Sequence, residues 1–211
     1  MTTNQDLIGI ATMAALWMLG ITRVRSMLWG LAVLGGALGA LPLYDGMSQG
    51  VGSEILLGAV VIAVKAVAVP IFLNWNACRL QMTRDHTVGI GPGAAMLVGA
   101  ALVVLCYFHG NHFAAAGSLP GDAGLSIAII AIGLTIMMTR RLAVGLIIGF
   151  LVLDNGIFVY GFTQTPGMPF IVELGVLFDL FLGVLLAGFV LFRIRRSFEH
   201  LDVSEMRELR G

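Results

Sequence analysis

Apolar residues in this chain come in long unbroken runs. They do not alternate as in a half-buried strand, nor do they form the one-sided stripe of a soluble amphipathic helix. Seven runs can be counted, at about 6–22, 26–44, 54–74, 93–110, 121–139, 141–162 and 168–193. The hydrocarbon core of a bilayer is ~30 Å thick and takes roughly 20 helical residues to cross. The pattern predicts an all-α polytopic membrane protein with seven transmembrane helices. Nothing alternates in the manner of a β-barrel strand.

The polar positions between the runs set an orientation. Arg23 and Arg25 separate runs one and two, Arg79 and Arg84 runs three and four, and Arg140 and Arg141 runs five and six. Five more arginines follow run seven, whereas the alternate loops (Tyr44–Ser53, His109–Pro120, Thr163–Gly167) hold no Lys or Arg. Under the positive-inside rule this places the N-terminus outside and the C-terminus in the cytoplasm. Met1–Asp6 has neither a basic region nor a small-residue cleavage site, so the first run reads as a retained helix. The tail from Arg193 to Gly211 alternates in charge and reads as a solvated surface helix.

Composition agrees with this picture and narrows the chemistry. The chain is 58% hydrophobic and 11% charged, with a mean hydropathy of +0.96. A soluble domain has about 25% charged residues. The formal net charge is zero and no basic patch lies beyond the cytoplasmic loops, so nucleic acid is not an expected partner. Cys78 and Cys106 stand apart and form no redox or metal motif. His109 and His112 could share a metal by spacing, but no third ligand lies nearby, and interfacial histidines are the simpler reading. The glycine run Gly89–Gly93 lacks the Lys-Ser/Thr of a phosphate loop and reads as a helix-starting turn.

Four ionisable residues lie inside the apolar runs and are the candidate proton-relay site: Lys65, Asp154, Glu173 and Asp179. A charged group at the centre of a membrane helix costs about 2.5–3.5 kcal/mol on insertion scales, so it is there for use or is paired. Lys65, Asp154 and Asp179 each lie about eleven to thirteen residues into their run, at one depth. Burial disfavours the charged form of either type, which suits proton exchange; a structural ion pair is the plainer reading of Lys65. Pro70 follows Lys65 and cannot donate to the carbonyl of Ala66, which predicts a kink or loosened hydrogen bonding. Gly35, Gly36, Gly39 and Ala40 in run two, and Gly145 and Gly149 in run six, predict close helix–helix contacts. Gly175, Asp179, Gly183 and Ala187 form a similar stripe that turns Asp179 toward protein. Glu173 lies about 120° away around the same helix and addresses another neighbour.

The stretch Gly149-Phe-Leu-Val-Leu-Asp154-Asn-Gly-Ile-Phe158 is followed by Gly167-Met-Pro-Phe-Ile-Val-Glu173-Leu-Gly-Val-Leu-Phe-Asp179. Together they resemble component E of hydrogenase-4 type complexes, the membrane-bound [NiFe] hydrogenases and formate hydrogenlyases related to respiratory complex I. Residues 121–211 are also similar to the three-helix K subunit of complex I and its counterpart in multisubunit cation/proton antiporters. The resemblance implies a four-helix membrane part over 1–120, a K-like three-helix part over 121–196 and a cytoplasmic tail over 197–211. It further implies that Asp154 and Asp179 stand where the K subunit carries midmembrane glutamates, and that Glu173 belongs to the component E motif. Both matched positions are Asp here, one methylene shorter, and Asp154-Asn155-Gly156 replaces the usual Glu-Asn-Gly.

The expectation is a non-redox subunit, not an enzyme on its own, in a prokaryotic cytoplasmic membrane. It would carry protons laterally while partner subunits do the redox chemistry. The implied partners are antiporter-like subunits and a complex I-like anchor, with iron–sulfur clusters and the NiFe site in those partners and no cofactor in this chain. The rivals are a subunit of a cation/proton antiporter and a structural spacer with inert acids. A retinal receptor is disfavoured, because its lysine belongs in the last helix, where this chain has none.

Overall fold

The computed structural model describes residues 2–79, 91–115, 119–164 and 175 of the chain. Those residues are helical, with short connections and no strand. The order is α1 (Thr2–Gly20), α2 (Val24–Gln49), α3 (Gly52–Val61), a wider π-helical stretch (Ile62–Ala68), and α4 (Val69–Arg79). Then come α5 (Pro92–Phe108), the short α6 (Gly110–Phe113), α7 (Pro120–Thr139) and α8 (Ala143–Gln164). The first six apolar runs are thus helices. Run seven (168–193) lies outside the described residues except for Gly175, which is helical, and the tail lies outside them altogether.

Among the described residues, four helices are long and apolar enough to cross a membrane: Val24–Gln49, Gly52–Trp75, Pro120–Thr139 and Val144–Gln164. The helix Pro92–Phe108 is apolar but shorter. Their outward faces carry large exposed apolar side chains, among them Leu56, Ile71, Leu97, Phe108 and Met138. A contiguous apolar exterior of this kind marks a surface made for lipid or a partner.

The helices outrun the apolar patterns at their ends. α2 continues through Pro42 to Gln49 and stops at Gly50, whose φ of 71° is left-handed and whose N–H bonds the Gly46 carbonyl. Glycine adopts that conformation without a Cβ penalty. The loop expected over 44–53 therefore shrinks to a tight turn between Gln49 and Gly52. Membrane helices tolerate an internal proline such as Pro42 because neighbouring helices help satisfy the freed carbonyl.

α1, α2, α8 and α7 form a closed square, each packed on the next, with α3 outside α2 and α5 outside α7 and α1. Met18, Met27, Leu31, Leu34, Leu38, Ile132 and Ile148 are fully buried in the shared core. Two seams depend on glycine. A Cβ added at Gly133 of α7 would lie 2.5 Å from the backbone nitrogen of Leu153 in α8. One added at Gly58 of α3 would lie 2.6 Å from that of Leu43 in α2. The small-residue faces expected at Gly35/Gly39 and Gly149 are real helix–helix contacts.

The two ends of the bundle are tied differently. At one end Asn4 of α1 donates to both carboxylate oxygens of Asp45 in α2, at 3.0 and 3.2 Å. Gln5 lies beside the Asp122 carboxyl of α7, and Gln164 of α8 accepts from the backbone N–H of Ala115 at 2.9 Å. At the other end Arg140, after α7, is inserted beneath α1. These ties fit α1 running antiparallel to α2, and α7 antiparallel to α8.

Candidate functional site: an ion pair between two helices

Lys65 is carried on the π-helical stretch, and local sequence explains why the stretch is there. Pro70 brings no N–H, so the bonding before it must give way. The Val69 N–H reaches back five residues to the Val64 carbonyl, the spacing of a π-turn. Such single wide turns inside α-helices recur at functional positions. The loosening expected at Pro70 is therefore present, and it takes this form. α2 accommodates the wider turn with glycine: a Cβ on Gly35 would lie 2.8 Å from both the carbonyl carbon and oxygen of Lys65.

That close approach lets a lysine on the outer helix reach the bundle. Its Nζ donates to Oδ2 of Asp154 in α8 at 3.2 Å, across 89 positions of sequence. Lys65 is 8% exposed and Asp154 9%, so the pair is out of water. The ammonium also lies 4.8 Å from the ring centre of Phe158, one turn on from Asp154. An aromatic face attracts a desolvated cation and narrows where it can sit. Asn155, next in sequence to Asp154, is 3% exposed, and its Oδ1 has no hydrogen-bond partner among the described residues.

The structure thus brings together two of the four candidate residues, Lys65 and Asp154. Glu173 and Asp179 lie outside the described residues. Phe158 and Asn155 were within reach of the sequence, being neighbours of Asp154 on the same helix. Arg140 was not. It reads as a loop charge, yet it is 4% exposed, and its Nη2 donates to the carbonyls of Met18, Leu19 and Ile21 at 3.2, 3.1 and 2.6 Å. Those are carbonyls at the end of α1, where a helix leaves acceptors unsatisfied and concentrates negative partial charge. Asp122, in the first turn of α7, is buried as well.

His109 and His112 stack at 6.0 Å between ring centres, and both are exposed. Among the described residues no three His, Cys, Asp or Glu side chains come together as a metal site would require. Cys106 is buried and Cys78 exposed, both free.

Fold and site together define a helical membrane protein with a buried lysine–aspartate pair between an outer helix and the central bundle. Over 190 residues the chain is 32% identical to the uncharacterized protein Rv0085 of Mycobacterium tuberculosis, covering 89% of this chain and 86% of that one. The chain belongs to the family of that mycobacterial protein. It is also distantly homologous, at 23% identity over 163 residues, to hydrogenase-4 component E of Escherichia coli K12 and of Shigella flexneri. That match covers 74% of this chain and 74% of each relative. No family model matches the chain, and no solved structure matches it.

Proposed function

We propose that the chain is a non-redox membrane subunit of a complex I-like, hydrogenase-type assembly, in which Lys65 and Asp154 belong to a lateral proton path. The distant homology to component E supports membership of a multisubunit membrane complex. The observation that carries the relay reading is the 3.2 Å contact between Lys65 and Asp154 in a water-poor seam. At that distance one proton passes from Nζ to Oδ2 by breaking one N–H bond and forming one O–H bond, leaving a neutral pair. Shifting the pair between these forms is a local electrostatic event that a neighbouring acid can drive.

Glu173 and Asp179, in a seventh span, extend the path in this reading. The unsatisfied oxygen of Asn155, next in sequence to Asp154, is a place for an ordered water to join the chain. The protein then crosses a prokaryotic cytoplasmic membrane seven times, N-terminus outside. Antiporter-like subunits and an anchor subunit are its neighbours, and the iron–sulfur and NiFe centres lie in the partners.

The test is turnover-linked proton translocation in membrane vesicles carrying Asp154→Asn, with the assembled complex quantified by purification. Asparagine keeps the shape and one acceptor for Lys65 but cannot take the proton. The expected result is an assembled complex whose translocation falls at least tenfold. Normal translocation in an intact complex removes the relay and leaves a structural spacer. Purification without any redox subunit would instead assign the chain to a cation/proton antiporter.

A further inference from the structure

Between α2 and the π-stretch with α4 lies a groove of about 270 Å³, lined by Arg25, Leu28, Trp29, Ala32, Ala66, Val67, Pro70, Ile71 and Asn74. Its long walls are apolar, and its two polar residues, Arg25 and Asn74, are one turn from the exposed Trp29 and next to the exposed Trp75 respectively. Arg25 is exposed and sits in the first turn of α2, at the end of the bundle that also holds Arg23 and Arg141. An apolar slot closed at one end by a guanidinium and flanked by tryptophans is laid out as a lipid is. Tryptophan belongs at headgroup level, the slot at acyl level, and arginine binds phosphate with its planar fork of donors.

We propose that this groove binds one anionic phospholipid, its phosphate on Arg25 and an acyl chain along Ala32, Val67 and Ile71. Charge complementarity selects this occupant: a purely apolar helix from a partner would leave Arg25 without a counter-charge, and a zwitterionic lipid would match it less well. The far wall is Ala66, Val67 and Pro70, all within the five residues that follow Lys65 and in or beside its wide turn. A seated acyl chain therefore supports the backbone that aims Lys65 at Asp154. The site does not depend on the relay reading, because binding can be measured without turnover.

The experiment is native mass spectrometry of the full chain, in its purified assembly, with phosphatidylglycerol or phosphatidylcholine added back in mild detergent. The expected result is one retained phosphatidylglycerol in preference to phosphatidylcholine. Arg25→Ala should weaken retention about fivefold, since a basic residue at an anionic lipid surface contributes about 1 kcal/mol. Arg25→Lys should restore part of it. Ala32→Trp, which fills the slot and leaves the charge in place, should abolish retention. Equal retention of both lipids, or retention unchanged by both Arg25→Ala and Ala32→Trp, overturns the proposal. So does a cross-link from position 67 to a partner subunit or to residues 168–193, which would show protein in the groove.

Discussion

Two cations are buried among the described residues, Arg140 and Lys65, and they are balanced in different ways. Arg140 is met by three backbone carbonyls at the end of α1, and Lys65 by the carboxylate of Asp154. Carbonyls carry fixed partial charge and take no proton at any ordinary pH. A carboxylate can take one. Arginine in turn keeps its charge everywhere, whereas lysine gives up its proton when burial asks for it. The Arg140 arrangement therefore has one charge state and works as a clamp. In the proposed relay Lys65–Asp154 has two, and the difference between clamp and switch then lies in the choice of partner.

Removing one side of the pair should have the largest effect. Asp154→Ala leaves Lys65 buried without its carboxylate, and breaking a buried pair this way costs about 3–5 kcal/mol. The expected outcome is a marked fall in the thermal midpoint of the detergent-solubilised protein and poor assembly. The double change Lys65→Met with Asp154→Leu removes both charges and should recover most of that stability, because an apolar pair of similar volume needs no desolvation. The double variant should nonetheless fail to support proton translocation. Recovery of stability together with translocation would place Lys65–Asp154 with Arg140, as a clamp.

Arg140→Met comes next. It removes three charge-assisted contacts and uncovers the carbonyls of α1, at about 1.5–3 kcal/mol. The loss should appear in thermal stability, while translocation per assembled complex stays unchanged. A fall in translocation beyond the fall in assembled complex would mean that the clamp also shapes the path, and the contrast between the two cations would blur.

The sequence made the helical class and the first six helical segments legible, because membrane helices announce themselves by length and apolarity. Lys65 and Asp154 stood out for the same reason, as charges where charges are costly. Their pairing was only one reading among several, since it depends on how far the π-stretch stands from α8. That distance is set by Gly35, whose meaning as a close-approach position needs a partner helix to reveal it. The π-turn was half-visible through Pro70: a missing N–H says that bonding loosens, not whether the helix kinks, frays or widens. Arg140 was misleading in sequence. Loop arginines usually snorkel to water, and nothing local to Arg140 signals that the carbonyls of α1 lie within reach.

The finest test of the contrast uses two glycines of one seam. Gly35→Ala sets a Cβ 2.8 Å from the Lys65 carbonyl, and Gly58→Ala sets one 2.6 Å from the Leu43 nitrogen, away from the ion pair. Crowding of this kind costs about 1–3 kcal/mol, and alanine returns up to about 1 kcal/mol of helix propensity, leaving roughly 0–3 kcal/mol for either change. Stability should therefore fall by a similar amount in both variants. Translocation should not. Gly35→Ala pushes on the backbone that aims Lys65 and should lengthen the contact to Asp154, so translocation per complex should fall severalfold. Gly58→Ala should leave it near normal, because the same helix pair is strained at a point the proton does not visit. Equal translocation in the two variants would show that the pair tolerates displacement, and a contact that tolerates displacement is a tether, with no need of the wide turn that presents it.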